Sequence, residues 1–539
     1  MTQQFGKVLV SGCSILLLLA SGCTKLGPDY KRPDVKIADS WVEKDPKVKQ
    51  ARKPADYSAW WKAFKDPTLN KLIETARNQN LSLQVAGIRV LEARALRGVA
   101  VGEQYPQAQS IGGSVNRNII SKNAANSGVP FDTRFTNADI GFDAAWELDF
   151  WGRFRRGVEA ADAELYASVA GYDDVLVALT AEVAAAYIEI RTAQQRIRIT
   201  RENVVIQTRA LQIASVRFRA GAVTELDMQQ ALSLLRNTEA RIPDLQIRER
   251  QAQNRLNVLL GMAPNDLTQM LGTGRPIPNA GSEIGLDMPA ELLRRRPDIR
   301  RAEIRAAAQS ARIGIAQSDL YPQLSLTGSI GLQAASTSFS ANGSSDLGDL
   351  FDGDSVFGSF GPAFRWNILN YGRIKNRVRA QDARLQSLLV TYQNLVLRAA
   401  REVEDGLVSF VRTQERAKFL ADSVAASKRS VQLSLIQYRR GTTDFIRVLD
   451  TQRVLVDQQD ALTAVEGSVA LSLVATYKAL GGGWQIRKGK DFVPSRVKKT
   501  MAARTDWGDM LSREKADKPR PWWKFWDSTG QPDTPDPPK

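Results

Sequence analysis

Apolar positions along this chain follow two periods, one of two residues and one near three and a half. The period of two marks half-buried strands. From Ala138 to Phe150 the even positions are Ala138, Ile140, Phe142, Ala144, Trp146, Leu148 and Phe150, with Asp139, Asp143, Glu147 and Asp149 between them. Leu324, Leu326, Ile330 and Leu332 alternate with Gln323, Ser325, Thr327, Ser329 and Gln333, and Phe360, Phe364, Trp366 and Ile368 with Ser359, Arg365 and Asn367. A fourth segment, Ala108–Ile119, alternates poorly and is placed through its match to Gln323 onwards. Strands this long, apolar on one face and polar or charged on the other, fit a membrane β-barrel with lipid outside and water inside. One sheet of a soluble sandwich would show shorter strands and more of them.

The second period predicts very long helices. No proline interrupts Arg153 to Ala220 or Ala363 to Val493. A helix of 68 residues over the first stretch would run roughly 100 Å, against about 11 residues for an ordinary globular helix. Leu176, Leu179, Val183, Ala186 and Ile190 keep heptad spacing, as do Val396, Ala399, Val403, Gly406 and Phe410. The pattern reads as a coiled-coil seam with small residues for close approach, or as an ordinary buried helix face. Arg219-Ala220-Gly221 and Arg440-Gly441-Thr442 end their helices on glycine, so each predicts the tip of a helical hairpin.

The two regimes recur in one order because the sequence repeats itself. At a displacement of 220 residues Trp146 meets Trp366, Gly152-Arg153 meets Gly372-Arg373, Tyr172 meets Tyr392, Glu182-Val183 meets Glu402-Val403, and Gly221 meets Gly441. Upstream the displacement is 216: Gly98 meets Gly314 and Tyr105-Pro106-Gln107 meets Tyr321-Pro322-Gln323. Each half thus reads helix, strand, loop, strand, long helix, turn, helix. The loops Ser121–Arg134 and Ala334–Asp354 are rich in Ser, Asn, Gly and Asp and are expected to face the cell exterior. Four strands cannot close a barrel, and an open sheet edge in lipid leaves backbone groups unsatisfied at several kcal/mol each. Several chains must therefore share one pore; two, three or four copies would give about eight, twelve or sixteen strands.

Composition narrows the chemistry. The chain has 539 residues, no histidine, a net charge of +16 and two cysteines, Cys13 and Cys23. Histidine-based acid–base and nucleophile systems are absent, as are most zinc and copper sites. No nucleotide loop, metal cluster or catalytic constellation appears, so neither an enzyme nor a cofactor is expected. The positive charge is spread along the chain and an export signal precedes it, which argues against a nucleic-acid partner. That signal is Lys7 followed by the apolar run Val8–Ala20, too short to span a membrane. Leu19-Ala20-Ser21-Gly22-Cys23 resembles a bacterial lipobox, which implies cleavage before Cys23 and its acylation. By resemblance to sorted lipoproteins, Thr24 after it implies the outer membrane and not retention in the inner one. The alternative is an ordinary cleaved signal peptide.

The chain resembles the outer-membrane efflux proteins, the TolC/OprM-like channels, in particular their NodT-type lipoprotein branch. The resemblance rests on Gly27-Pro28-Asp29-Tyr30-Lys31-Arg32-Pro33, Trp60-Trp61 with Phe64 and Asp66-Pro67, and Pro289 with Leu292-Leu293. It rests also on Arg295-Arg296-Pro297-Asp298-Ile299 with Ala302-Glu303, and on Gly441, Val448-Leu449-Asp450 and Gln452-Arg453. It implies an α+β membrane protein: a homotrimer whose twelve-stranded outer-membrane barrel, four strands per chain, continues into an α-helical coiled-coil barrel across the periplasm. It further implies a periplasmic adaptor (membrane fusion protein) and an inner-membrane RND-type transporter as partners. The expected organisation is a signal peptide over 1–22, a lipidated N-terminal and equatorial segment over 23–75, a first repeat over 76–262 and a linker over 263–296. A second repeat over 297–484 and a disordered tail over 485–539 complete it.

Asp450 and Arg453 lie three apart on one helix face just inside the second tip, where the first half has the neutral Gln230 and Ser233. By resemblance they match the family's periplasmic constriction and its ion-pair lock, with Tyr438 in the same lock and Ile446 narrowing the aperture. They can equally be read as a solvated surface pair. Asp227 and Arg447 occupy equivalent positions with opposite charge, so they could bridge neighbouring tips, or be two unrelated solvated charges. In the tail, Pro521-Trp522-Trp523-Lys524-Phe525-Trp526 could dock to a membrane interface or a partner, or pack on the channel itself. The function expected is a passive exit duct of a tripartite drug-efflux system. The alternatives are the outer-membrane channel of a type I protein-secretion system, and a periplasmic coiled-coil scaffold, which the strands argue against.

Overall fold

A computed structural model describes residues 25–35, 38, 40–43, 48–50, 57–121, 123, 132–272, 274–279, 281, 284–286, 295–340 and 343–512. The signal peptide, Cys23, Pro289, Leu292-Leu293 and the Trp-rich segment 521–526 lie outside these residues. The chain divides into two compact units: residues up to Arg32 with Glu92–Tyr166 and Glu303–Val390, and Pro33–Leu91 with Ala167–Ala302 and Thr391 onwards.

The first unit is built on one four-stranded antiparallel sheet: β1 (Ala108–Ile119), β2 (Arg134–Glu147), β3 (Gln323–Ala335) and β4 (Val356–Arg365), in that spatial order. The register sets Ile111, Phe142 and Ile330 in one row and Ser110, Asp143 and Ser329 in the next. Successive rows point to opposite faces, so one face is apolar and the other polar. The apolar face is open: Ile111, Val115, Ile330, Phe360 and Phe364 are all well exposed. β2 and β4 each end some three residues before the alternation does. Leu148 still donates its N–H to Leu324, but Phe150 turns back on Leu148. Asp149 then accepts from the N–H groups of Phe154 and Arg155 and opens the next helix. The segment 334–354 is more structured than a plain loop, containing a small hairpin, Thr337–Ser340 with Gly343–Ser345, and a 3-10 turn at Leu347–Phe351.

Lys25–Arg32 is bound into this unit. The fully buried Arg156 guanidinium donates to the carbonyls of Leu26 and Gly27 and to the carboxylates of Asp29 and Glu159. Gly27, at φ +91°, lies so close to Gly314 that a Cβ would come within 2.4 Å of its Cα. Two glycines are required there.

The helices, numbered along the chain, are α1 (Pro67–Gln79), α2 (Leu81–Gly102), α3 (Arg153–Arg219), α4 (Glu225–Leu259), α5 (Pro297–Ser318), α6 (Arg373–Arg439), α7 (Phe445–Ala479) and α8 (Ser495–Arg504). α3 and α6 each have 67 residues, and α4 and α7 each 35. Both tips close alike: Gly221 and Gly441 have φ near +70°, and Ala222 and Thr442 donate back to Arg217 and Gln437, the hydrogen bonding of a Schellman cap. In the second unit every residue of the two heptad seams is buried. Gly467 faces Thr192, where a Cβ would approach Oγ1 to 2.3 Å. None of the described helices is long and apolar enough to cross a membrane.

The expectation of disorder from residue 485 does not hold through 512. A 3-10 turn (Trp484–Arg487), α8 and a second turn (Gly508–Leu511) fold back, and Val493 and Met501 are buried with Leu91, beside Phe492, Val497, Trp507 and Leu511.

Candidate functional site

The polar centres among the described residues of the second unit include the α6–α7 tip. α7 begins after Asp444, and its first turns present Ile446, Arg447, Asp450 and Val454 to a polar concavity of about 670 Å³ that Ser430 and Thr443 also line. Arg453 donates to Asp450 Oδ1 at 3.0 Å, both side chains being more than half exposed. A pair so exposed contributes about 0–1 kcal/mol to one chain's stability. The pair is thus open to solvent.

Of the residues singled out from sequence, Ile446, Arg447 and Asp450 share this concavity and Arg453 pairs with Asp450. Tyr438 does not join them. Its ring is buried among Ala210, Ala214, Phe445, Val448 and Leu449, 5.0 Å from Phe445 and beneath the Arg217 guanidinium at 4.5 Å. Its hydroxyl is also buried and has no hydrogen-bond partner among the described residues. Asp227 is occupied within its own helix, its Oδ2 accepting from the Thr224 N–H and hydroxyl. Within the chain Asp227 and Arg447 do not pair.

The second centre explains the Arg-Arg-Pro-Asp-Ile run. The Arg296 guanidinium forks onto Asp298 at 2.8 and 3.1 Å, and its Nη1 reaches Glu402 at 2.9 Å and the Ala479 carbonyl at 2.8 Å. One arginine thus joins the start of α5, the middle of α6 and the last turn of α7. Burial opposes its charge, and the two carboxylates outweigh that, raising its pKa.

The third centre is one that sequence reasoning missed. Asp173, fully buried in α3, receives Arg487 at 2.6 and 3.4 Å. The Arg487 guanidinium also lies over the Phe492 ring at 5.1 Å, and that ring meets Tyr172 edge-on at 5.2 Å. Burial pushes Asp173 above its ordinary value, with Arg487 pulling it back, and pushes the Tyr172 phenol up to about 12. No local pattern reveals a partner 314 residues away.

A sheet apolar on one side and polar on the other thus leads, along the chain, into 67-residue helices that end in capped tips. The profile of outer membrane efflux proteins matches residues 72–262 and 288–482. The chain belongs to the outer membrane efflux protein family. Nodulation protein T of Rhizobium leguminosarum bv. viciae is 29% identical over 476 residues, 88% of this chain and 94% of that one. The solvent efflux pump outer membrane protein SrpC of Pseudomonas putida is 30% identical over 476 residues, 87% and 97% of the two chains. The solved structure of the outer-membrane channel OprN superposes with a TM-score of 0.78 at 34% identity, covering 85% of this chain and 99% of that one. As a member of this family the chain is an outer-membrane protein with a periplasmic extension, in a family of transport ducts rather than enzymes.

Proposed function

We propose that this chain forms the outer-membrane exit duct of a tripartite efflux pump, passively conducting small molecules delivered by an inner-membrane RND-type transporter through a periplasmic adaptor. The observation that carries this reading is the sheet β1-β2-β3-β4. It has one apolar face, and neither β1 nor β4 has a second partner among the described residues. Lipid does not tolerate such edges. Three copies, each contributing its four strands, would close a twelve-stranded barrel wide enough to conduct. The sequence displacement of 220 and the equal lengths of α3 and α6, and of α4 and α7, support an internal two-fold repeat.

The gate belongs at the α6–α7 tip. Three copies of Asp450 about an axis make a negative ring that favours cations, with Ile446 narrowing the opening and Arg453 available to lock a neighbour. Tyr438, buried in ring and hydroxyl alike, would serve the lock only by holding the shape of the tip. Asp227 retains Oδ1 for an Arg447 on an adjacent tip. Cys23 would add a lipid anchor just before the bound segment at Lys25. The test is planar-bilayer conductance of the full-length chain together with efflux in a host lacking its own duct. A stable monomer that conducts nothing would overturn the reading.

A further inference from the structure

The apolar face of the sheet carries two charges at one end only. Arg117 lies in register with Thr136, and Ile119 with Arg134, so both arginines share the face of Ile111, Val115, Ile140 and Phe142. Val115 lies two residues below Arg117, about 7 Å along the strand. The pair therefore stands just beyond the apolar band, at the loop end of the strands, which is the exterior end in an outer-membrane channel. Both side chains are exposed. Arg117 Nη1 donates to the Thr136 hydroxyl at 3.0 Å, and neither guanidinium has a carboxylate partner among the described residues. The acid next in sequence, Asp132, is taken by the Thr337 hydroxyl and the Ser338 N–H, which hold its pKa below the ordinary carboxylate value. Asp139 points to the opposite face, where Ser114 donates to it at 2.6 Å.

Two guanidinium groups on a lipid-facing surface, at headgroup height and without counter-charges, meet whatever anion the outer leaflet offers. We propose that Arg117 and Arg134 dock the phosphorylated headgroup of an outer-leaflet glycolipid, while Ile111 and Val115 lie against its acyl chains. Guanidinium suits the task because its planar fork binds phosphate through two parallel hydrogen bonds. The inference rests on the outer-membrane reading above.

Native mass spectrometry of the assembled full-length channel tests it, with a bisphosphorylated glycolipid and its dephosphorylated counterpart as probes. The native protein is expected to retain the phosphorylated lipid about tenfold better than the R117Q/R134Q pair, with R117K/R134K in between and millimolar inorganic phosphate failing to displace it. Equal retention by native and Gln-substituted channels, or equal binding of the dephosphorylated lipid, overturns the proposal. Loss of the assembled form in the Gln pair overturns it too, by assigning the arginines to contacts between copies. Conductance of the same preparations separates this question from the duct itself, which requires an open pore whatever lipid is bound.

Discussion

Arg487→Ala should be among the most damaging single changes outside the sheet, because it strands a carboxylate where water cannot reach. Asp173 has no exposed surface, and Arg487 supplies both oxygens with their charged partner at 2.6 and 3.4 Å. Removing one member of a buried pair costs about 3–5 kcal/mol, whereas replacing both with apolar side chains of similar size is often neutral. The Asp173→Leu/Arg487→Met double variant should therefore lie within about 1 kcal/mol of the native protein, with some loss from the contact over Phe492. The pH dependence follows from the direction of the shift. Burial raises the folded-state pKa of Asp173 above 3.8. Its contribution is then fully present below that value and is lost as pH rises through the folded pKa. Without Arg487 the folded pKa rises further, so the deficit of Arg487→Ala should be smallest below about pH 4 and grow toward neutrality. Thermal melts of the detergent-solubilised channel, followed by helical circular dichroism from pH 4 to 8, read both effects. A double variant as damaged as Arg487→Ala alone, or a deficit independent of pH, would refute the argument and leave packing over Phe492 as the cause.

Four further outcomes can be checked. Tyr438→Phe should leave the melting temperature unchanged, since the hydroxyl is buried and has no partner within the described chain, whereas Tyr438→Ala should cost about 3–5 kcal/mol; a lowered melting temperature in Tyr438→Phe would show that the hydroxyl is bonded after all. Asp450→Ala should raise closed-state conductance and reduce cation preference with little change in melting, because its pair with Arg453 is exposed; an unchanged closed state counts against the gate. Gly467→Ala should destabilise by about 1–3 kcal/mol, because the new Cβ meets Thr192 Oγ1 at 2.3 Å, and Thr192→Ala in the same chain should recover much of the loss in a melt. Ending the chain at Gly483 should lower the melting temperature at least as far as Arg487→Ala, since it removes Arg487 together with the buried Val493 and Met501.

What could be read from the sequence was what repeats at short range. Alternation located three of the four strands, the internal match placed Ala108–Ile119, and heptad spacing located seams whose members are all buried. Strand ends escaped because alternation continues through Leu148 and Phe150 after the hydrogen bonding has begun to turn into α3, held by Asp149. The fold of residues 484–512 was partly visible. Val493, Val497 and Met501 are four residues apart, as on one face of a helix, but the surrounding lysines and arginines obscured them. The run Arg295–Ile299 stood out as a motif, yet its work is long-range, because Arg296 clasps Glu402 and the Ala479 carbonyl. At the tip, charge and spacing singled out Asp450 and Arg453, which pair with each other. Nothing local distinguished the buried ring of Tyr438 from an exposed one.

The two halves of the sequence diverge most tellingly where a single-copy segment docks. Paired across the displacement of 220, the seam positions stay apolar, with Leu176 against Val396 and Val183 against Val403. Arg156, by contrast, corresponds to Asn376, and Asp173 to Gln393. These are buried charges of the first half, and each is satisfied by a segment the chain possesses only once: Leu26–Asp29 for Arg156, and Arg487 for Asp173. A buried charge is tolerated only with its partner present. A second Arg156 or Asp173 in the other half would have no terminal segment to meet, and the neutral residues found there are what that constraint requires. The tip differs for another reason. Asp450 and Arg453 replace Gln230 and Ser233 on an exposed surface, where a charge needs no partner within its own chain. Divergence between the halves at these positions therefore separates into buried charges that fasten single-copy segments and exposed charges that solvent can satisfy.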